Sequence, residues 1–158
     1  MSSPPDARLR FVVCEDGAEY LERFRRFLGE SFDFLPAHDF DEARTAAADA
    51  DGLLLDLDFR RTPADRLVDE RGPAPAPMDA GTRTRLAETQ GILILRRLRA
   101  GGVALPAILF ADLEDAGQLA FLTRTLAPLT VAGSRMGIAE LATLLHTTPR
   151  TTPTTKRR

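Results

Sequence analysis

Four short runs along the chain are apolar at nearly every position instead of at alternate ones: residues 11–14, 53–55, 107–110 and, less fully, 129–132. That pattern belongs to parallel strands covered on both faces. A fifth run, 32–35, alternates and suits a sheet edge. Between the runs the apolar residues change to helical spacing. Tyr20, Leu21, Phe24, Phe27 and Leu28 share one predicted helix face, and that helix stops at Gly29. Asp39 or Asp41 caps a short alanine-rich helix running to Ala48, while Ile92, Leu95 and Leu98 form a stripe ended by Gly101-Gly102. Leu119, Leu122 and Leu126 mark a fourth helix, and Ile138, Leu141 and Leu145 a fifth.

Strand and helix alternating in this way predict an α/β fold, a parallel sheet with helices on both faces, because each right-handed crossover returns the chain to the same sheet. The expected arrangement is flavodoxin-like, five strands in the order 2-1-3-4-5, with a crevice at the carboxyl ends of strands 1 and 3 where the winding reverses. Those ends carry Glu15-Asp16 and Asp56. Carboxylates gathered at one crevice either hold a hard cation such as Mg²⁺ or, for Glu15 and Asp16, cap the first helix near its positive end. The residues alone leave both readings open.

In their order and spacing these segments resemble the receiver domain of bacterial response regulators. RFVVCED resembles that family's first strand and acidic pair, and DGLLLDL its third strand and phosphoacceptor. Residues 91–99 are similar to its third helix, 105–110 to its fourth strand and 138–141 to its last helix. The resemblance spans 8–146 and implies Asp56 as phosphoacceptor, with Glu15, Asp16 and Asp56 as ligands of Mg²⁺. It also exposes two departures. Where the family has a Ser or Thr after strand 4, whose hydroxyl follows the phosphoryl group, this chain has Ala111. Where the family has a lysine after strand 5, it has Ser134, and the only lysine in the sequence is Lys156. Arg135, one position further, offers a substitute cation, but its planar fork needs a different approach from an ammonium. A phosphoryl group brings about −1.5 to −2 charges. One missing cation at about 4 Å is worth on the order of 1 kcal/mol in water and about 4 at a surface-like dielectric.

Asp56 and Gly91 lie 35 positions apart, whereas the family spaces them by about eight, so residues 60–89 hold a long insertion. It contains Pro63, Pro73, Pro75 and Pro77 and little apolar periodicity beyond Leu67 and Val68. Such a loop is either functional or a tolerated flexible excursion, since closure entropy grows slowly with length.

Composition narrows the remaining choices. The 158 residues, 44% of them hydrophobic, suffice for one domain with a continuous core. A net charge of −2 provides no basic field for nucleic acid. No run is long enough to span a membrane, and the start MSSPPDARLR lacks the apolar core of a signal peptide, so the expected location is cytoplasmic. Cys14, the single cysteine, is expected to pack as a small hydrophobe. His38 and His146, with no ligand pattern near them, are assigned to surface or helix-end positions. The Thr/Pro-rich stretch 147–158, ending Lys156-Arg157-Arg158, is expected to be a disordered basic tail.

The expected function is that of an atypical, stand-alone receiver-like signalling module, not an enzyme, acting through phosphorylation-independent binding to a protein partner such as a histidine kinase or a downstream regulator. The alternative is a working phosphoacceptor using Asp56 and Mg²⁺. A remote third reading comes from Asp56-Leu57-Asp58, which looks like the DxD motif of Mg²⁺-dependent haloacid-dehalogenase-type phosphatases.

Overall fold

The computed structural model describes residues 7–74 and 77–149. Its centre is one parallel sheet of β1 (Leu9–Cys14), β2 (Phe32–Ala37), β3 (Gly52–Asp56), β4 (Ala107–Phe110) and β5 (Leu129–Ala132), in the order β2-β1-β3-β4-β5. The helices are α1 (Glu19–Leu28), α2 (Phe40–Ala47), α3 (Ala80–Glu88), α4 (Gln90–Ala100), α5 (Ala116–Thr125) and α6 (Ile138–His146).

Side chains alternate across a strand, so the continuous apolar runs feed two cores. From β1, Val12 and Cys14 join Leu53, Leu55 and Leu109 on the face covered by α2 and α4. Phe11 and Val13 join Leu54, Ile108 and Phe110 on the other face, beside α1 and α6. Cys14 is fully buried, and that burial, together with nearby carboxylates, pushes its thiol well above the ordinary range. Phe27 departs from expectation. It lies at the margin of the α1 stripe and is 57% exposed, with the Arg26 guanidinium over its ring. His146 ends α6 as expected, its ring 4.7 Å from that of Phe32.

The insertion differs most from its expectation, for it adds a helix, α3, and packs into the body. Leu67 and Val68 are buried, as are Leu86 and Ala87 on α3. A single 3-10 turn, Ala64–Arg66, precedes them, and Val68 forms an isolated antiparallel bridge with Pro73. Gln90, only 1% exposed, clasps the segment: its Oε1 accepts from Val68 N at 2.8 Å, and its Nε2 donates to the carbonyls of Val68 and Leu86, each at 3.1 Å. One side-chain amide thus does for Val68 what a neighbouring strand would do, leaving its buried peptide groups satisfied. Gly91 fixes the join between α4 and the sheet, since a Cβ there would stand 2.0 Å from the Asp56 carbonyl oxygen. Residues 75 and 76 of the insertion, and the tail from 150 onward with Lys156, lie outside the described residues.

Candidate functional site

Pairing of Cys14 with Leu55 and of Asp56 with Phe110 brings the residues that follow β1, β3 and β4 to one end of the sheet. Glu15 continues β1 and is 2% exposed. Its carboxylate accepts from the backbone N–H groups of Tyr20 at 3.0 Å and Leu21 at 2.9 Å. Ala18, the cap residue of α1, makes no side-chain cap bond, so Glu15 performs that task from outside the helix. Burial pushes the Glu15 carboxyl up, with the two N–H bonds opposing it. His38 Nδ1 lies 3.1 Å from the Glu15 carbonyl oxygen, which only accepts, so Nδ1 carries the ring proton in that contact.

Asp56 closes β3 half-buried, its Oδ1 accepting from Leu57 N at 2.9 Å. Burial pushes its carboxyl up to about 6; the Leu57 N–H opposes this, and the charges of Asp16, Glu15 and Asp58 reinforce it. Asp16 is differently placed. Its side chain is 7% exposed, and both oxygens are held by Arg61 of the insertion: Nη2 donates to Oδ1 at 3.0 Å and the backbone N–H to Oδ2 at 2.9 Å. The same guanidinium donates to both Glu19 oxygens, at 2.6 and 2.9 Å. Gly17 gives it room, because a Cβ there would lie 2.5 Å from Arg61 Nη2. Arg61 holds the Glu19 carboxyl down at about 2, and the guanidinium is in turn pushed further up. Five positions on, Arg66 bonds Asp39 through Nε at 2.8 Å and Glu42 through Nη2 at 3.1 Å, at the start of α2.

The two departures from the receiver pattern lie on the neighbouring loops. Ala111 directly follows β4 and is buried, its N–H donating to the Ala132 carbonyl at 2.9 Å. Ser134 spans to the β4 loop: its N–H donates to Asp112 Oδ1 at 3.0 Å and its hydroxyl to Oδ2. Those bonds, and then the charge of Arg135, hold the Asp112 carboxyl below its ordinary value. Arg135 is exposed.

Glu15, Asp16 and Asp56 therefore share one end of the sheet, as the topology predicts, but their carboxylates are differently engaged. Of the two uses weighed for the acidic pair, helix capping describes Glu15. Among the described residues no group of three or more His, Cys, Asp or Glu side chains is arranged to hold a metal ion. With both Asp16 oxygens on Arg61 and the Glu15 carboxylate on α1, the donor set as it stands does not fit Mg²⁺, which demands near-octahedral oxygen ligation. Arg61, Gly17 and Glu19 were not legible as site residues. Arg61 sits in a stretch without periodicity, 45 positions from the carboxylate it holds, and no local spacing rule links such a pair.

No family profile matches the chain, and no curated protein matches it. Solved structures do. The receiver domain of Francisella response regulator 1452 is similar with a TM-score of 0.59 at 15% identity, over 88% of this chain and 94% of its own. The BeF3-activated N-terminal receiver domain of Klebsiella pneumoniae RstA gives 0.59 at 19% identity, over 88% and 97%. The signal receiver domain of a putative LuxO repressor protein from Vibrio parahaemolyticus gives 0.60 at 12% identity, over 89% and 88%. With the parallel sheet in the order β2-β1-β3-β4-β5 and these likenesses together, the fold of this chain is that of a response-regulator receiver domain.

Proposed function

We propose that this chain is a regulatory interaction module of receiver fold, whose output is binding to a protein partner and whose state is not set by phosphorylation of Asp56. The observation that carries the reading is the pair of replaced switch positions: a buried methyl group at Ala111, and at Ser134 a hydroxyl already tied to Asp112. Neither follows or neutralises a phosphoryl group. A phosphoryl group on Asp56 would carry about −1.5 to −2 charges at a position where burial and the charges of Asp16, Glu15 and Asp58 already disfavour the ionised carboxylate. Without a chemical trigger, regulation draws on differential binding between partners or states.

A surface for such binding lies where the insertion meets α4 and α5, in a groove of about 660 Å³. Leu86 and Leu93 lie along it with Phe121, which is 48% exposed, and Arg71 and Arg85 also line it. The partner class is a histidine kinase or a downstream regulator. The phosphatase reading is weakened at Asp58, whose carboxylate is engaged by Arg60 through the backbone N–H at 3.0 Å and Nε at 2.7 Å.

Incubation with acetyl phosphate and Mg²⁺, followed by mass spectrometry, tests the proposal. Little or no labelling of Asp56 is expected. Efficient labelling that disappears in Asp56→Ala and falls sharply in Arg135→Ala would instead establish a phosphoacceptor with an arginine in the lysine's role.

A further inference from the structure

We propose that the acidic end carries its own resident cation, the guanidinium of Arg61, seated on Asp16 in place of a divalent ion. The inference concerns the same site as the proposed function and shares its premise that phosphoryl chemistry does not run the site, but a separate measurement decides it.

Three observations converge. The Asp16 side chain is 7% exposed and receives two bonds from one residue, one from the guanidinium and one from the Arg61 backbone, so the residue is gripped at both ends. A second carboxylate, Glu19, takes the other edge of the guanidinium with both oxygens. Between the two acids stands Gly17, where a Cβ would come 2.5 Å from Nη2 and 2.8 Å from Cζ of Arg61. Two carboxylates flanking a side-chain-free residue form a cradle for a planar fork, which a hydrated point charge does not need.

Charge makes the occupancy consequential. Removing Arg61, whose own side chain is 57% exposed, leaves the Asp16 carboxylate, only 7% exposed, without its counter-charge, which is costly unless another cation arrives. Asp16, Glu15 and Asp56 lie close enough for the first two to raise the third. Removing the guanidinium therefore leaves Asp16 and Glu19 without their counter-ion at an end of the sheet that also holds Glu15 and Asp56, the condition that favours a hard cation. The cation comes from the insertion, so the segment that most distinguishes this chain also supplies what the acidic end lacks.

The test is calorimetric titration of the full chain with Mn²⁺, repeated with Mg²⁺, for wild type, Arg61→Gln, Gly17→Ala and Arg61→Gln combined with Asp16→Asn. Gly17→Ala keeps the arginine and fills its seat, so it tests the cradle without deleting the charge. Thermal unfolding establishes that each variant is folded; where one is not, the other single variant decides. Both single variants are expected to bind Mn²⁺ at least about tenfold more tightly than wild type, a gain of about 1.4 kcal/mol, and the double variant to lose that gain. Wild type binding as tightly as the folded single variants overturns the inference, as does a gain that survives Asp16→Asn. If wild type takes Mn²⁺ tightly and acetyl phosphate still leaves Asp56 unlabelled, the resident-cation inference fails while the proposed function stands.

Discussion

Asp56 and Glu19 sit at the same end of the sheet and depart from the ordinary carboxylate range in opposite directions, which gives them opposite effects on stability. The folded chain binds the Asp56 proton more tightly than the unfolded chain, at about 6 against 3.8. Stability is therefore lost as pH rises between those values and stays at the lower level above them. At about 1.4 kcal/mol per unit the full shift amounts to about 3 kcal/mol, and solvent screening of this partly exposed group brings it to on the order of 1–2. Asp56→Asn keeps the acceptor for Leu57 N–H and removes the charge. Denaturant unfolding should find the variant more stable than wild type by on the order of 1–2 kcal/mol at pH 7, with the difference vanishing below about pH 4. An unchanged difference across that range would show that burial and the acidic neighbours do not control Asp56. Glu19 works the other way. Its contribution is complete above the ordinary value of 4.5 and is lost as pH falls through about 2. The placement of Glu15, Asp16 and Asp56, though not of Glu19, was legible in the sequence, because topology alone sends those three to one crevice. Their use stayed open between capping and metal binding, since capping by Glu15 depends on where α1 begins, and an apolar pattern fixes helix ends poorly.

At the scale of elements, the five strands and the helices expected in the sequence follow from apolar runs and from stripes that recur at helix spacing. The insertion escaped that logic because it is anchored at points instead of along a face. Leu67 and Val68 are consecutive buried residues, α3 buries only Leu86 and Ala87, and a glutamine side chain satisfies the backbone between them. Periodicity has nothing to detect there. Gln90→Leu should consequently cost more than its size suggests, because it preserves volume but strands the N–H and carbonyl of Val68. A loss of about 1–3 kcal/mol is expected, seen as a lower melting temperature. Amide exchange at Val68 should accelerate well before exchange in β1 or β3; equal acceleration everywhere would mean that the insertion does not open as a unit. Gly91→Ala attacks the next residue differently. It pushes α4 away from the Asp56 carbonyl and should lower stability through the sheet itself.

For the whole molecule, the packing of the insertion decides how its part in binding has to be tested. Replacing residues 61–89 with a short turn would remove Leu67, Val68, Leu86 and Ala87 from the core. At about 1.5–3 kcal/mol for each large apolar side chain, that change confuses loss of a binding surface with loss of the fold. Point substitutions in the groove avoid the confusion. Phe121 is 48% exposed, so Phe121→Ser removes apolar surface that water already touches and should leave the melting temperature nearly unchanged. Arg85, exposed on α3 and lining the same groove, bears a similar substitution, Arg85→Ser. If the chain acts through this face, each variant should weaken a captured partner at least about tenfold, as expected where a few anchors carry most of the binding energy. Asp56→Ala should leave the affinity unchanged. The reverse pattern, with affinity lost in Asp56→Ala while the fold is intact and retained in Phe121→Ser, would make the acidic end the switch. In that case the insertion would act on binding only by holding Asp16, and the partner's affinity should also respond to Arg61→Gln.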